Sequence, residues 1–410
     1  TSLHIVYILH IVYSLHMCLS LTALQSKRDT SSQSPVPHRS TGLTEVMGTV
    51  TVLNLAGDVV LSHPCTPGLS VAELRSKLPD PFMWELIWEG HPALRDEETA
   101  GQLGWSDAVT LSAVARSADY DAAIHALRGS EWSKAPPLEQ NEVKRLCTRA
   151  QEILLAEPSL LTLEPPVVVS AHPTGHMKTL NYIFDTFGEP GGTVHLFLGN
   201  YVNRGKHSLE VFILLLSYKL KYPEQLHLLR GRYDCGNLGR IYGFYDQCKP
   251  RYGVKFWKTF VEVFNSLPIA AVVGSRIYCV SGGLSPSMRS LEDLRQLQRP
   301  TEVPDQGLLC DVLWSDPDAL PGWQEIPKGV SYTYGPDIVE QFLRENELDF
   351  MVVGNQVVED GYEVSGPRCT LFSVPDYCGE FNNRGAVLLL DENLERHFTV
   401  FAMADVERSR

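Results

Sequence analysis

Residues 196–235 read LFLGNYVNRGKHSLEVFILLLSYKLKYPEQLHLLRGRYDC. The opening Leu-Phe-Leu closes a short apolar run that begins at Val194, the composition of a strand buried on both faces. A polar loop with two glycines follows at Gly199–Gly205. Leu209, Phe212, Ile213 and Leu216 then recur at helical spacing, which predicts a helix with one inward face. Leu226–Leu229 is a second apolar run, and Arg230-Gly231-Arg232 is a second polar loop. Strand, loop, helix, strand and loop in this order predict a layered α/β domain. In such domains sites form where loops gather at the carboxyl ends of strands.

The same pattern continues outward. Val167-Val168-Val169 and Ile277–Val280 predict two more buried strands, and Met177, Leu180, Phe184 and Phe187 predict another amphipathic helix. Ser170-Ala171-His172 and Ser281-Gly282-Gly283 add polar loops just past strand ends. Before this region, Val50–Leu55 and Val59–Leu61 read as a hairpin around the turn Ala56-Gly57-Asp58. Ser70-Val71-Ala72-Glu73 is a capping box that opens a short helix. Val71, Leu74 and Leu78 lie on one face of it, and Pro79 ends it. Strands at Glu85–Trp88 and Ala108–Val114, with a turn at Glu89-Gly90, complete a ββαββ order. This segment resembles a ubiquitin-like (β-grasp) domain. It runs on through Ala115-Arg116-Ser117 with no Gly-Gly tail, so it is expected to dock or pack rather than be conjugated.

Composition narrows the function classes. An apolar fraction of 44% and a charged fraction of 20% are those of a globular protein. The net charge of −14 argues against nucleic acid and anionic membranes, both of which need a basic face. Nine scattered cysteines without a CxxC pair suggest free thiols in a reducing compartment, cytoplasmic or nuclear. Residues 3–24 lack any charged side chain and are long enough to span a bilayer, which leaves a membrane anchor as an alternative. They consist of three near-identical hexads, so a low-complexity extension is the expected reading. His4, His10 and His16 follow from that repeat and are not expected to bind metal. Residues 25–46 read as a Ser/Thr/Pro-rich disordered linker. The expected organisation is repeat and linker over 1–46, a ubiquitin-like domain over 47–116, the α/β domain over 117–403 and a tail over 404–410.

Four long stretches carry a resemblance. They are the opening one, RIYGFYDQCKPRYGVKFWKTFVEVFNSLPIAAVV (240–273), RPTEVPDQGLLCDVLWSDPD (299–318) and TLFSVPDYCGEFNNRGAV (370–387). With the lead-in QNEVKRLCTRAQEILLAEPSLLTLE (140–164) they resemble the metal-dependent serine/threonine protein phosphatases over 119–403. Among these the chain most resembles the type 1 catalytic subunit. The resemblance implies a metallophosphatase-type β-sandwich flanked by helices. It also implies two divalent ions, such as manganese or iron/zinc, that clamp phosphate and generate a hydroxide nucleophile.

The family's ligand motifs are altered in this chain. Where the family has Gly-Asp-x-His-Gly, this chain has Ala171-His172-Pro173-Thr174-Gly175. Gly-Asp-x-Val-Asp-Arg-Gly becomes Gly199-Asn200-Tyr201-Val202-Asn203-Arg204-Gly205, with both acids now amides. Arg-Gly-Asn-His-Glu becomes Arg230-Gly231-Arg232-Tyr233-Asp234, so a cation replaces a ligand and a phenol replaces the general acid. The last two ligand histidines align with Ser281 and Asn355. The six metal positions are thus His172, Thr174, Asn200, Arg232, Ser281 and Asn355, and the remnants of the acid machinery are Asn203, Tyr233 and Asp234. Amides cannot balance divalent charge as carboxylates do, and a phenol is a weaker acid than an imidazolium. No metal cofactor is therefore expected, and the chain is expected to be a pseudophosphatase that binds without turnover. The alternative is an active phosphatase of phosphoserine and phosphothreonine.

Arg204, Arg232, Lys328 and Tyr377 align with or stand among phosphate-binding positions, and could form a cationic cup for a phosphorylated side chain. The competing reading makes Arg204 a relic and pairs Arg232 with Asp234 or another acid. The family's docking groove for short linear motifs aligns with Ile277, Leu394 and Phe398, with Glu395 and Arg396 charged where the family is not. Gly274 and Ser275 replace acidic residues beside it. Expected partners are phosphatase-regulatory or substrate proteins, including phosphopeptides.

Overall fold

The computed structural model describes residues 48–53, 59–78, 84–88, 94–95, 97–105, 109–115, 120–129, 132, 138–326 and 329–409. The N-terminal repeat and linker, the turns at 56–58 and 89–90, Pro79 and Lys328 lie outside the described residues. The chain divides into two compact units at Ser117/Ala118.

The first unit has strands β1 (Gly48–Leu53), β2 (Val59–Cys65), β3 (Trp84–Trp88) and β4 (Val109–Ala115), with a helix at Val71–Ser76. They form one sheet in the order β2-β1-β4-β3. β1 and β4 run parallel at its centre, and each is flanked by an antiparallel neighbour. The Glu73 N–H donates to Ser70 Oγ at 3.1 Å, so Ser70 starts the helix as its sequence position predicts. Val50, Val52, Leu74, Leu86, Trp105 and Leu111 pack into one core.

The second unit continues with β5 (Leu160–Leu163), β6 (Val167–Ser170), β7 (His195–Phe197), β8 (Leu226–Leu228), β9 (Ala270–Val273) and β10 (Ile277–Val280). Then follow β11 (Asp316–Pro317), β12 (Trp323–Glu325), β13 (Tyr332–Tyr334), β14 (Phe350–Val353), β15 (Tyr362–Ser365), β16 (Arg368–Leu371), β17 (Gly385–Leu390) and β18 (Arg396–Phe401). One sheet has the order β15-β16-β14-β10-β9-β5 and the other β18-β17-β6-β7-β8. Val167, Leu196 and Leu388 from one sheet pack against Val273, Ile277 and Val352 from the other. Helices 140–156, 208–221 and 254–266 cover one outer face, and helices 308–314 and 336–345 cover the opposite one. This is the helix-flanked β-sandwich expected from the sequence.

Two local expectations change. The helix Ser208–Lys221 is buried on nearly every side, from Ser208 to Lys219, although its leucine stripe predicts one inward face. Neighbouring helices enclose it, and the fully buried Lys219 ammonium is paired with Glu157 and with the Pro223 carbonyl. The segment expected as a tail forms a helix at Met403–Arg408, because Val406 buries beside Ile183 and Phe401. Among the described residues no helix is long and apolar enough to cross a membrane, and all eight described cysteines are free.

Strands β6, β7 and β8 are mutually parallel, as are β10, β14 and β16. Their carboxyl ends meet along one edge of the sandwich. There the Ala171 N–H donates to Ser373 Oγ at 2.9 Å and the Gly354 N–H to the Ser281 carbonyl at 2.9 Å.

Candidate functional site

Each loop at that edge delivers part of the predicted site. His172 and Thr174 follow β6; Asn200, Asn203 and Arg204 follow β7; Arg232, Tyr233 and Asp234 follow β8. Ser281 follows β10, Asn355 follows β14, and Tyr377 lies between β16 and β17. His172, Asn200, Asn203 and Arg204 hold left-handed backbone, with φ of 57°, 61°, 74° and 58°. Such conformations cost on the order of 1–3 kcal/mol each outside glycine, so the surroundings must hold them. Two glycines let the loops abut. A Cβ on Gly231 would lie 2.4 Å from the Asn200 nitrogen, and one on Gly199 would lie 2.2 Å from the Gly231 nitrogen.

Asp234 clamps these loops together. Its carboxylate accepts from the N–H groups of Asn200 (2.7 Å), Tyr201 (2.9 Å) and Gly231 (2.9 Å). Burial pushes its pKa up to about 6, although those N–H groups and Arg230 favour the charged form. Arg232 therefore does not pair with Asp234, whose carboxylate is taken up by backbone. Asn203 is likewise structural: it donates to the Tyr233 carbonyl at 3.2 Å and accepts from the Phe244 N–H at 3.2 Å.

Asn200 is the hub of a hydrogen-bonded cluster at these loops. Its Oδ1 accepts from the Tyr233 N–H at 2.9 Å, which fixes the orientation of the amide. Its Nδ2 must then donate, and it reaches His172 Nε2 at 2.9 Å and Ser281 Oγ at 3.2 Å. His172 Nε2 is thus the acceptor, and the ring proton of neutral His172 sits on Nδ1. Burial, reinforced by the nearby Arg232 charge, holds His172 well below the usual histidine range, so it stays neutral. Among the described residues its Nδ1 has no hydrogen-bond partner, and His172 is only 2% exposed. Thr174 turns its hydroxyl onto the His172 carbonyl at 3.1 Å.

Arg232 crosses to Asn355. It donates to the Asn355 carbonyl at 3.2 Å and lies 4.0 Å from a carboxylate oxygen of Asp316, to which Asn355 Nδ2 donates at 3.1 Å. His172, Arg204, Arg232, Tyr233, Asn355 and Tyr377 line one open cavity of about 670 Å³. The Arg204 guanidinium lies over Tyr242 at 4.1 Å and reaches Tyr233 at 6.0 Å, measured to ring centroids. Burial pushes the Tyr377 phenol up. Asp316, Tyr242 and Phe372, whose ring lies 4.8 Å from that of His172, belong to the same neighbourhood. Sequence reading missed them because their separation in the chain conceals the contacts.

The three residues expected to form a docking groove belong to one apolar cluster. Ile277 is buried in the inter-sheet core, and Leu394 and Phe398 pack against that core. Phe398 stacks on Tyr362 at 4.2 Å with 9° between the rings. A Cβ on Gly274 would meet Leu394 at 2.7 Å, so any larger side chain at this position would have to displace the leucine. Arg396 extends over Phe350 at 4.1 Å.

A two-sheet sandwich with its polar loops at one edge, opening on a cavity with two arginines, defines a phosphoesterase-like domain. The profile of the calcineurin-like phosphoesterases matches residues 171–359, and that of the serine-threonine protein phosphatase N-terminal domain matches residues 122–164. The second unit is a serine/threonine protein phosphatase-like domain with the metallophosphatase fold. A solved serine/threonine phosphatase from Saccharomyces cerevisiae, described as similar to human phosphatase PP5, is 28% identical. It matches over 65% of this chain and 90% of its own, with a TM-score of 0.62. A cold-active protein-tyrosine phosphatase from a psychrophilic Shewanella is 15% identical over 60% of this chain and 84% of its own, with a TM-score of 0.44.

These matches correct the expectation that no metal cofactor is involved, since the family to which they point normally uses divalent metals. The donor set of this chain does not fit a two-ion centre, however. Asn200 directs N–H groups at His172 and Ser281, Thr174 turns its hydroxyl onto backbone, and Arg232 brings a positive charge.

Proposed function

We propose that this chain is a pseudophosphatase: a serine/threonine protein phosphatase-like protein that binds regulatory or substrate proteins without hydrolysing phosphoserine or phosphothreonine. The observation that carries this reading is the Asn200 amide. It joins His172 and Ser281 into a neutral, hydrogen-bonded cluster where an anionic ligand set would be needed. Tyr233 stands where a general acid would stand, and proton donation alone contributes roughly 10²–10⁴-fold to such reactions. Purified protein assayed with a phosphoserine peptide and p-nitrophenyl phosphate, with manganese added, is expected to show no turnover above blank. Turnover that disappears in Arg204→Ala would sink the proposal and favour the active phosphatase.

The partner surface in this reading is a type-1-like groove around Ile277, Leu394 and Phe398, which takes short apolar motifs. Its charged neighbours Glu395 and Arg396 alter specificity. Phe398→Ala removes the ring stacked on Tyr362, and is expected to weaken a fluorescent groove peptide about tenfold or more. Unchanged anisotropy curves would place docking elsewhere. The first unit acts as a second docking surface of ubiquitin-like type, a reading supported by its central parallel pair and β2-β1-β4-β3 order. A cytoplasmic or nuclear location accords with the free thiols.

A further inference from the structure

We infer that the turn joining β17 to β18 binds one divalent transition-metal ion of the zinc type, held by the carboxylates of Asp391 and Glu395 and the imidazole of His397. Leu390 pairs with Val167, the first residue of β6, so this turn stands at the amino ends of the parallel strands. The loops that carry Asn200 and Arg232 stand at the opposite edge. Whether that edge hydrolyses phosphate has no bearing on this site.

The donors are already gathered. One ligand atom from each of the three residues lies within 4.8 Å of the other two. His397 Nε2 is 2.9 Å from Asp391 Oδ2, close to the spacing of two ligands on one ion. Donors bound at about 2.0–2.2 Å from zinc lie roughly 3–3.5 Å apart, so only the Glu395 carboxylate has to move, by about 1–2 Å. Asp391 is fixed by the backbone. Its Oδ1 accepts from the N–H groups of Asn393 and Glu395, both at 2.9 Å, which leaves Oδ2 for His397. The pairing of Asp391 with His397 accounts for two of the three groups. The Glu395 side chain is exposed and, among the described residues, has no hydrogen-bond or ion-pair partner.

Strand alternation leaves the carboxylates without a cation. In β18, Arg396 turns over Phe350 and Phe398 stacks on Tyr362, so His397 between them projects from the other face. Arg396 is the sole Lys or Arg between 391 and 397, and it is withdrawn from Asp391, Glu392 and Glu395. Among the described residues no Lys or Arg lies within ion-pair distance of these three acids. Imidazole combined with carboxylates suits zinc and its neighbours, whereas magnesium and calcium take oxygen donors throughout. The His397 side chain is 53% exposed, so an ion can enter from solvent and keep water at its remaining positions. Bound there, it would tie the end of β17 to the start of β18.

The test is calorimetric titration of the full chain with zinc chloride, with His397→Gln and Glu395→Gln measured beside it. Other histidines and cysteines of the chain can take zinc, so the readout is the difference between proteins. The wild type is expected to show one binding event that each variant loses or weakens about tenfold or more, since losing even an outer partner of a metal ligand costs about 10–100-fold. Without metal, Glu395→Gln should melt with the wild type, because the side chain it replaces is exposed and unpartnered. Its loss of zinc would then not reflect misfolding. With cobalt(II) in place of zinc, the wild type minus His397→Gln difference spectrum should show visible bands without the near-ultraviolet band of a thiolate ligand. A thiolate band in that difference would place the ion elsewhere and overturn the inference. Zinc binding unchanged in either variant would overturn it too. So would displacement of zinc by equimolar calcium or magnesium, the mark of an acidic turn that collects any cation.

Discussion

Replacing Asp234 with alanine is expected to lower stability by about 2–4 kcal/mol at pH 7, read by urea titration or melting temperature. Three backbone N–H groups lose their acceptor in a fully buried place. Each orphaned donor costs about 1–3 kcal/mol. Relief of a buried charge works against this. Burial raises the carboxyl pKa from 3.8 to about 6, which corresponds to about 3 kcal/mol of charge burial at neutral pH. The hydrogen bonds outnumber that relief, so the net effect is loss. The sign of the pH dependence follows from the raised value: the contribution of this group is fully present below pH 3.8 and is lost as pH rises through 6. The gap between wild type and Asp234→Ala should therefore widen by about 1 kcal/mol from pH 7 to pH 5. A gap that narrows on acidification would mean that Asp234 is held charged and that its clamp is stronger than burial implies.

Gly231→Ala is expected to cost at least about 3 kcal/mol, a fall in melting temperature of roughly 2–4 °C for each kcal/mol. The new methyl would sit 2.4 Å from the Asn200 nitrogen and 2.6 Å from its side chain. Asn200 cannot yield easily. Its backbone is left-handed, its N–H is bound by Asp234, and its amide is bonded to His172, Ser281 and Tyr233. The displacement would pass to His172 and Ser281 through their bonds to the Asn200 amide. A variant with native melting temperature would show that the two loops do not abut as closely as these distances require.

Much of the architecture was legible because it is written in local pattern. Val167–Val169, Leu226–Leu229 and Ile277–Val280 are apolar runs too short for helices, and each became a buried strand. Ser70 capped its helix because a hydroxyl three residues before a free N–H can satisfy it wherever that segment sits. The helix at Ser208–Lys221 was misjudged in its burial because periodicity reports a preferred face and carries no count of the neighbours that will pack around it. The helix at Met403–Arg408 was missed for a similar reason, since one buried valine secures it and six residues carry little periodicity.

At the site, chemical identity and spatial partnership separate. That Asn200 and Asn203 are amides, that Arg232 is a cation and that Tyr233 is a phenol was determined by sequence alone, because the charge and proton inventory of a side chain needs no neighbour. Which groups those side chains meet was decided only by the fold. Asp316 approaches Arg232 from 84 residues away in the chain, and Asn355 from 123. The proton position on His172 depends on an amide orientation set by the Tyr233 N–H. Asp234, read in sequence as the remnant of an acid's partner, is a clamp on three backbone N–H groups because two glycine-containing loops close around it. Hydrogen bonds act over about 3 Å, and only the convergence of parallel strand ends brings residues so distant in sequence within that range.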